Sequence, residues 1–245
     1  MWDKPELMNT AANLLFGTAA LLAFYAALAL VIQLPLFPLR EVRVSGELAH
    51  VTRDEVEELV RRELRGNFFT LDLGAARGAF ERLSWVRKVN VRRRWPDRLE
   101  VVLEEHVPLA RWSDRALVNT RGELFDATYG GRLPRFVGPA GAAKEMAIQF
   151  EYFRTSLAAI GLTPVAVQIS QRRAWRIHLA TGLTLELGRE QVEARLTRFV
   201  AAYGRTLARL ERRVDYVDLR YANGFAVRVP ELGFEKPESK RRHAA

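Results

Sequence analysis

Cysteine is absent from this 245-residue chain, which excludes disulfides, thiolate metal sites and cysteine nucleophiles and leaves the fold indifferent to the redox state of its compartment. Histidine is scarce. His50, His106, His178 and His243 lie far apart in unlike contexts, so a shared metal site finds no support. The nearest approach to a ligand pair is Glu104 with His106 in "EEH" (104–106), on one side of a strand, where a solvated pair is the commoner case. No G-x-S-x-G, P-loop or G-x-G-x-x-G sequence is present. With no nucleophile, base or metal cluster legible, no catalytic, cofactor-binding or metal-ligating residue is assigned, and an enzyme is the minority reading.

What the chain does have is apolar bulk and basic charge. Hydrophobic residues make up 49% of it, enough to fill real cores and to argue against disorder. Thirty-eight basic residues against 29 acidic ones give a formal net charge of +9. A basic surface seeks an anion, and nucleic acid, an anionic leaflet or an acidic protein partner would each serve.

One apolar run decides more. "AANLLFGTAALLAFYAALALVIQL" (11–34) extends 24 residues without a charge, and a helix of about 20 residues crosses a bilayer's hydrocarbon core. Hydrophobic on every face and followed by Pro35 and Pro38, it reads as a membrane span after a leader, 1–10, and not as a buried core helix. Ala27-Leu28-Ala29 resembles a signal-cleavage site, but the run exceeds the ~7–15 residues of a signal's apolar region and no basic cluster precedes it. An uncleaved anchor is favoured. Lys4 before the span and Arg40, Arg43 and Arg53 after it leave the orientation open by charge, since long domains translocate largely regardless of flanking arginines. The sequence holds no second run of this kind, which excludes transport through this chain alone.

Beyond the span the pattern divides into two modules. "LREVRVSG" (39–46) alternates as a half-buried strand. Thr52 to Glu55 forms a capping box, starting a helix whose stripe is Val56, Leu59, Val60 and Leu64 and whose end is Gly66-Asn67. A shorter helix gathers Ala76, Ala79, Phe80 and Leu83; then come a strand from Trp85, a turn at Pro96-Asp97, and Leu99, Val101 and Leu103 alternating. The expected order is β-α-α-β-β. In that frame Arg92 and Arg94 of the run Arg92-Arg93-Arg94 face away from the core. A nucleic-acid patch would need stacking aromatics between the basic residues or a recognition helix, and neither is present.

The second module begins near Val107. "RALVNTRGELF" (115–125) and "AWRIHLATGLTLELG" (174–188) read as hairpins, the latter with Trp175, Ile177 and Leu179 on one face and Leu183, Leu185 and Leu187 matching them. Two helices carry core stripes, one from Met146 through Phe150, Phe153 and Leu157 to Ile160, the other from Val192 through Leu196, Phe199, Tyr203 and Leu207 to Leu210. "YVDLRYANGFAVRV" (216–229) reads as two strands around Asn223-Gly224, stopped by Pro230, and 231–245 as a solvated tail. A last strand tends to lie at a sheet edge, open to strand addition, and Arg220 alternates away from Leu219 and Tyr221.

A leader, one span, a β-α-α-β-β module and a β-rich module ending in a hairpin resemble the FtsQ/DivIB family of bacterial division proteins. "SWVRKVNVRRRWPDRLEVVLEEHVPLARW" (84–112) resembles that family's segment joining the two modules, "RRAW" (172–175) its central strand entry and "YVDLRY" (216–221) its C-terminal signature. The resemblance implies an α+β protein with a POTRA domain at 39–106 and a β domain at 107–230, both in the periplasm. It implies a single-pass, type II inner-membrane protein at the division septum, a scaffold without cofactor. The implied partners are FtsB and FtsL, with FtsK acting upstream through the POTRA domain and FtsW and FtsI as further division proteins.

On the same resemblance, Arg220 and either Arg172 or Arg173 would hold an acidic residue of FtsB. Tyr221 would be a contact aromatic, Asn223 and Gly224 the turn beside it, and 225–229 the augmented edge ending at Val229. Where the enterobacterial pattern has Gly-Trp, this chain has Arg228-Val229, and Phe225 is expected to supply the lost contact area. A membrane-anchored cell-wall enzyme is the second reading, and a basic binder of anionic lipid or nucleic acid the third.

Overall fold

The computed structural model describes residues 5–33, 38–113, 116–210 and 213–230, so the start of the leader and the expected tail lie outside the described residues. The apolar run forms one uninterrupted helix, α1 (Pro5–Gln33), which starts earlier than the run itself, with Pro5 at its first position. Asn9–Ile32 within it is long and apolar enough to cross a membrane, and none of it is buried against protein.

The first module is built from β1 (Glu41–Ser45), α2 (Arg53–Glu63), α3 (Leu73–Glu81), β2 (Val86–Arg94) and β3 (Arg98–Glu105). Its sheet runs β1-β3-β2, with β1 parallel and β2 antiparallel to β3. The capping box forms: the Thr52 hydroxyl accepts from Glu55 N–H, and the Glu55 carboxylate accepts from Thr52 N–H at 2.9 Å. Such a cap stabilises a helix by about 1 kcal/mol. Val56, Phe80, Val89, Leu99, Val101 and Leu103 fill the core between helices and sheet. On the open face Arg92 forks onto Glu100 across the strands at 2.9 and 3.0 Å. Arg93 reaches instead to the Phe68 carbonyl at 2.7 Å, pinning the loop between α2 and α3.

Glu105 closes this module. Its side chain is only 6% exposed and accepts the backbone N–H groups of Ala49, His50 and Val51 at 3.1, 3.1 and 2.8 Å. Burial pushes its pKa up, but the three N–H groups and His50 together outweigh burial and hold it below the ordinary carboxylate value. A carboxyl with a depressed folded pKa contributes stability that is complete above its unfolded pKa, about 4.3, and is lost as pH falls through the lower folded value. The protection of β3 amides, taken relative to each amide's intrinsic exchange rate at that pH, is therefore expected to fall on acidification below about pH 4.3. Glu105→Gln should expose those amides already at neutral pH and flatten the acid dependence.

The second module contains β4 (Pro108–Trp112), β5 (Ala116–Asn119), β6 (Leu124–Phe125), β7 (Arg135–Val137), α4 (Ala143–Ala158), β8 (Pro164–Ile169), β9 (Trp175–Leu179), β10 (Thr184–Gly188), α5 (Val192–Tyr203), β11 (Tyr216–Asp218) and β12 (Ala226–Arg228). All nine strands form one sheet, ordered β12-β11-β10-β9-β8-β7-β4-β5-β6. Met146, Phe150, Phe153 and Leu157 of α4 and Leu196 and Phe199 of α5 bury one face against Phe136, Val167, Ile177, Leu185 and Val217.

Two expectations change. The stripe drawn to Leu210 ends as a helix at Tyr203, since Gly204 is a poor helix former and the Thr206 hydroxyl donates to the Ala202 carbonyl. Leu207 remains buried on a short 3-10 turn, Leu207–Arg209, while Leu210 is 47% exposed. The last hairpin is not a tight Asn223-Gly224 turn. Its strands have three residues each, and the pairing of Asp218 with Ala226 leaves a connection of seven residues, 219–225.

Candidate partner-binding edge

Among the described residues β12 is the outermost strand of the sheet, paired on one side only with β11 in the register Tyr216–Arg228, Val217–Val227 and Asp218–Ala226. Ala226, Val227 and Arg228 are exposed, and the free side of such a strand carries backbone donors and acceptors that no described neighbour uses. Across the pair the Arg228 guanidinium stands 5.3 Å from the Tyr216 ring centroid, so it lies along β11 and covers an aromatic face. Val229, one residue on, is half-buried.

The connection before β12 is held at both ends by side chains. Leu219 is buried and donates its N–H to Glu186 O at 2.9 Å, which carries β11 past its last ladder pair. Arg220 then turns back, giving Nε to Asp218 Oδ1 at 2.9 Å and Nη2 to Asp218 Oδ2 at 2.6 Å. This fork is the main reason the Asp218 carboxyl titrates below its ordinary range, against the opposing effect of burial. The same contact raises the guanidinium's own pKa, so Arg220 stays charged. From α5, Arg198 donates to the carbonyls of Tyr221 and Ala222 and fixes the bend.

Gly188 makes room for this arrangement. Its φ of +73° is one an L side chain rarely adopts, and a Cβ there would meet Arg195 Nη1 at 2.9 Å and Arg220 Cγ at 3.1 Å. The result is a hollow of about 300 Å³ lined by Arg172, Ala174, Gly188, Arg189, Glu190, Arg195 and Arg220. Four guanidiniums face one carboxylate there. Arg189 is paired to Glu190 at 3.0 Å and Arg195 donates to Leu187 O at 2.6 Å, while Arg172 forms no ion pair among the described residues. Arg220 Nη1 likewise has no partner among them. A hollow with this lining suits a carboxylate, which Arg forks bind with two parallel bonds.

The two arginines left as alternatives by the sequence separate here. Ser170 to Ala174 is the turn between β8 and β9, with Arg173 N–H bonded to Ser170 O at 3.0 Å and Ala174 N–H to the Ser170 hydroxyl at 3.0 Å. Arg172 lines the hollow beside Arg220. Arg173, at φ 60°, points the other way and pairs with Glu145 in the first turn of α4.

A second, more open hollow of about 520 Å³ is lined by residues 221–226 and leads onto β12. Tyr221 projects there with 58% of its surface exposed, Asn223 is exposed and Gly224 is half-buried. Phe225, expected to be a contact residue, is among the residues lining this hollow. It is half-buried, with its ring edge-on to Phe199 at a centroid distance of 6.1 Å, so it works as a support beneath the loop.

Sequence reasoning passed over Asp218, Gly188, Arg195 and Arg198. Asp218 could have been found from the D-x-R spacing, which sets two side chains of an extended segment on one face. Arg195 and Arg198 flank the buried Leu196 and Phe199 on α5, and periodicity alone reads them as solvated. Elsewhere Glu104 pairs with Arg87 at 3.4 Å, and among the described residues no three His, Asp or Glu side chains converge as a metal site would require.

Comparison with known proteins follows the same division. A family model described as POTRA domain, FtsQ-type, matches residues 37–106, and one described as cell division protein FtsQ/DivIB, C-terminal, matches residues 110–220. The cell division protein FtsQ of Nitrosospira multiformis is 49% identical over 233 residues, covering 93% of this chain and 99% of that protein. FtsQ of Burkholderia pseudomallei is 42% identical over 241 residues, 96% of each chain, and that of Neisseria gonorrhoeae 35% identical over 241 residues, 98% of this chain and 100% of its own.

Proposed function

Because the chain belongs to the FtsQ/DivIB family of cell division proteins, we propose that it is a non-enzymatic scaffold of the division machinery, anchored by α1 with both modules in the periplasm at the septum. Its task is to hold the FtsB–FtsL pair. An extended segment of FtsB adds as a strand to β12, and an acidic side chain of that segment enters the hollow between Arg172 and Arg220. The POTRA domain serves recruitment downstream of FtsK, with FtsW and FtsI as other members of the assembly.

The observation that carries this reading is the position of a sheet edge, unpaired among the described residues, directly after a hollow rich in guanidinium groups. Main-chain bonds along an edge supply affinity with little sequence demand, and a charge-assisted fork fixes the register of what is added. The Nε–Nη2 side of Arg220 already holds Asp218, which leaves Nη1 available for a second carboxylate, that of the partner.

Calorimetric titration of the full chain in detergent with the periplasmic FtsB–FtsL pair, at low and high salt, tests the reading. Strand addition with one ion pair predicts saturable binding that weakens modestly with salt. No binding, or binding that collapses as salt rises in the manner of a polyanion complex, contradicts it.

A further inference from the structure

Three segments of the first module meet at the end of its sheet from which the chain enters α1. β1 opens at Glu41, eight residues after α1 ends at Gln33. Glu41 lies opposite Arg98, and Arg40 N–H bonds Asp97 O at 3.0 Å, so the β2–β3 turn is level with the start of β1. The loop between α2 and α3 reaches the same place: Asn67 Nδ2 donates to the Ile32 carbonyl at 2.7 Å. That carbonyl is in the last turn of α1, where helix acceptors lack partners of their own. Arg93 ties this loop to β2 through the Phe68 carbonyl.

The side chains at this end are unlike those of an ordinary solvated rim. Trp95, at the tip of the turn, is 81% exposed, more than Phe16 or Phe24 on the apolar helix at 75% and 71%. Phe69 on the neighbouring loop is 45% exposed. Around them Arg40, Arg65, Arg94 and Arg98 are exposed. The local carboxylates are already engaged, Asp97 by Arg40 at 3.8 Å and Glu41 by Arg98 at 2.9 Å. Arg65 and Arg94 have no ion pair among the described residues.

We infer that this end of the first module docks on the bilayer that α1 crosses, with Trp95 and Phe69 in the interfacial layer and Arg65 and Arg94 against the phosphates of anionic phospholipids. An indole is suited to that layer because its body is apolar and its N–H remains wet. Arginines beside it gain from a negative leaflet, and their stems can lie along apolar surface while the heads reach phosphate. The anchor selects the occupant: α1 holds this end within eight residues of the membrane, so the lipid surface is present at high effective concentration. Docking would fix the module's height and tilt over the membrane.

The test uses the full chain in vesicles of phosphatidylcholine, with and without phosphatidylglycerol. The difference in emission between the wild type and Trp95→Phe isolates Trp95 from the other tryptophans. That difference signal should be quenched by chains brominated near the headgroup and shielded from acrylamide. The shielding should increase with phosphatidylglycerol, and Arg65→Glu with Arg94→Glu should abolish the increase while β3 amide protection is unchanged. Quenching by acrylamide as full as that of a free tryptophan derivative, with none from brominated chains, would overturn the inference. Shielding that is indifferent to phosphatidylglycerol would overturn the role given to the arginines.

Discussion

Arg220→Glu is expected to abolish binding of the FtsB–FtsL pair while the second module stays folded. Losing a desolvated charge pair and placing a like charge in its position costs at least about 2–5 kcal/mol. A micromolar complex has about 8 kcal/mol in total, so the variant falls to a Kd between about 30 μM and a few millimolar, beyond detection at working concentrations for most of that range. The fold should tolerate the change, because the Arg220 side chain is 57% exposed and an ion pair with that much solvent contributes about 0–1 kcal/mol. The new carboxylate would, however, lie near Asp218 and raise its pKa, the reverse of its present depression. Arg220→Lys separates charge from geometry: it retains the positive charge and loses the fork, so intermediate binding is expected. If Arg220→Glu binds as tightly as the wild type, the hollow is not where the acidic group goes.

Phe199→Ala is expected to produce the largest loss of stability among single changes that bear on the site, about 3–5 kcal/mol by denaturant unfolding followed at α5 and β11. Phe199 has no exposed surface and is packed against Tyr203 at 5.6 Å and Phe225 at 6.1 Å. Removing the ring leaves a cavity directly beneath the loop that precedes β12, so binding should fail together with stability. Phe199→Leu preserves most of the volume and should cost less than about 1.5 kcal/mol, with binding largely retained. Should Phe199→Ala unfold at the wild-type midpoint, α5 would not be the support assigned to it.

The elements that the sequence made legible are those in which one physical signal dominates. α1 is apolar on every face; the Thr52–Glu55 cap is a local hydrogen-bond pattern; β9 alternates cleanly, with Trp175, Ile177 and Leu179 buried and Arg176 exposed between them. β7, at three residues, is too short for a period of two to register. The parallel pairing of β4 with β7 and of β7 with β8 joins segments far apart in sequence, which no local pattern announces. The terminal hairpin misled for a related reason. Asn223-Gly224 is a strong turn signal, but Asp218, Arg198 and Phe199 hold 219–225 open through contacts that local propensity does not contain. The candidate edge was legible as the last described strand, whereas the hollow beside it depends on Gly188 and on Arg195, a helical arginine that only the packing of α5 over β10 brings into place.

Strand addition at β12 is the central claim, and amide hydrogen exchange at 226–229, measured with and without the periplasmic FtsB–FtsL pair, tests it most directly. The account predicts that these amides slow on addition of the partner, as an edge strand becomes an interior one. Exchange that is unchanged at 226–229 while the partner is bound would mean that capture proceeds through side chains alone, and would contradict it.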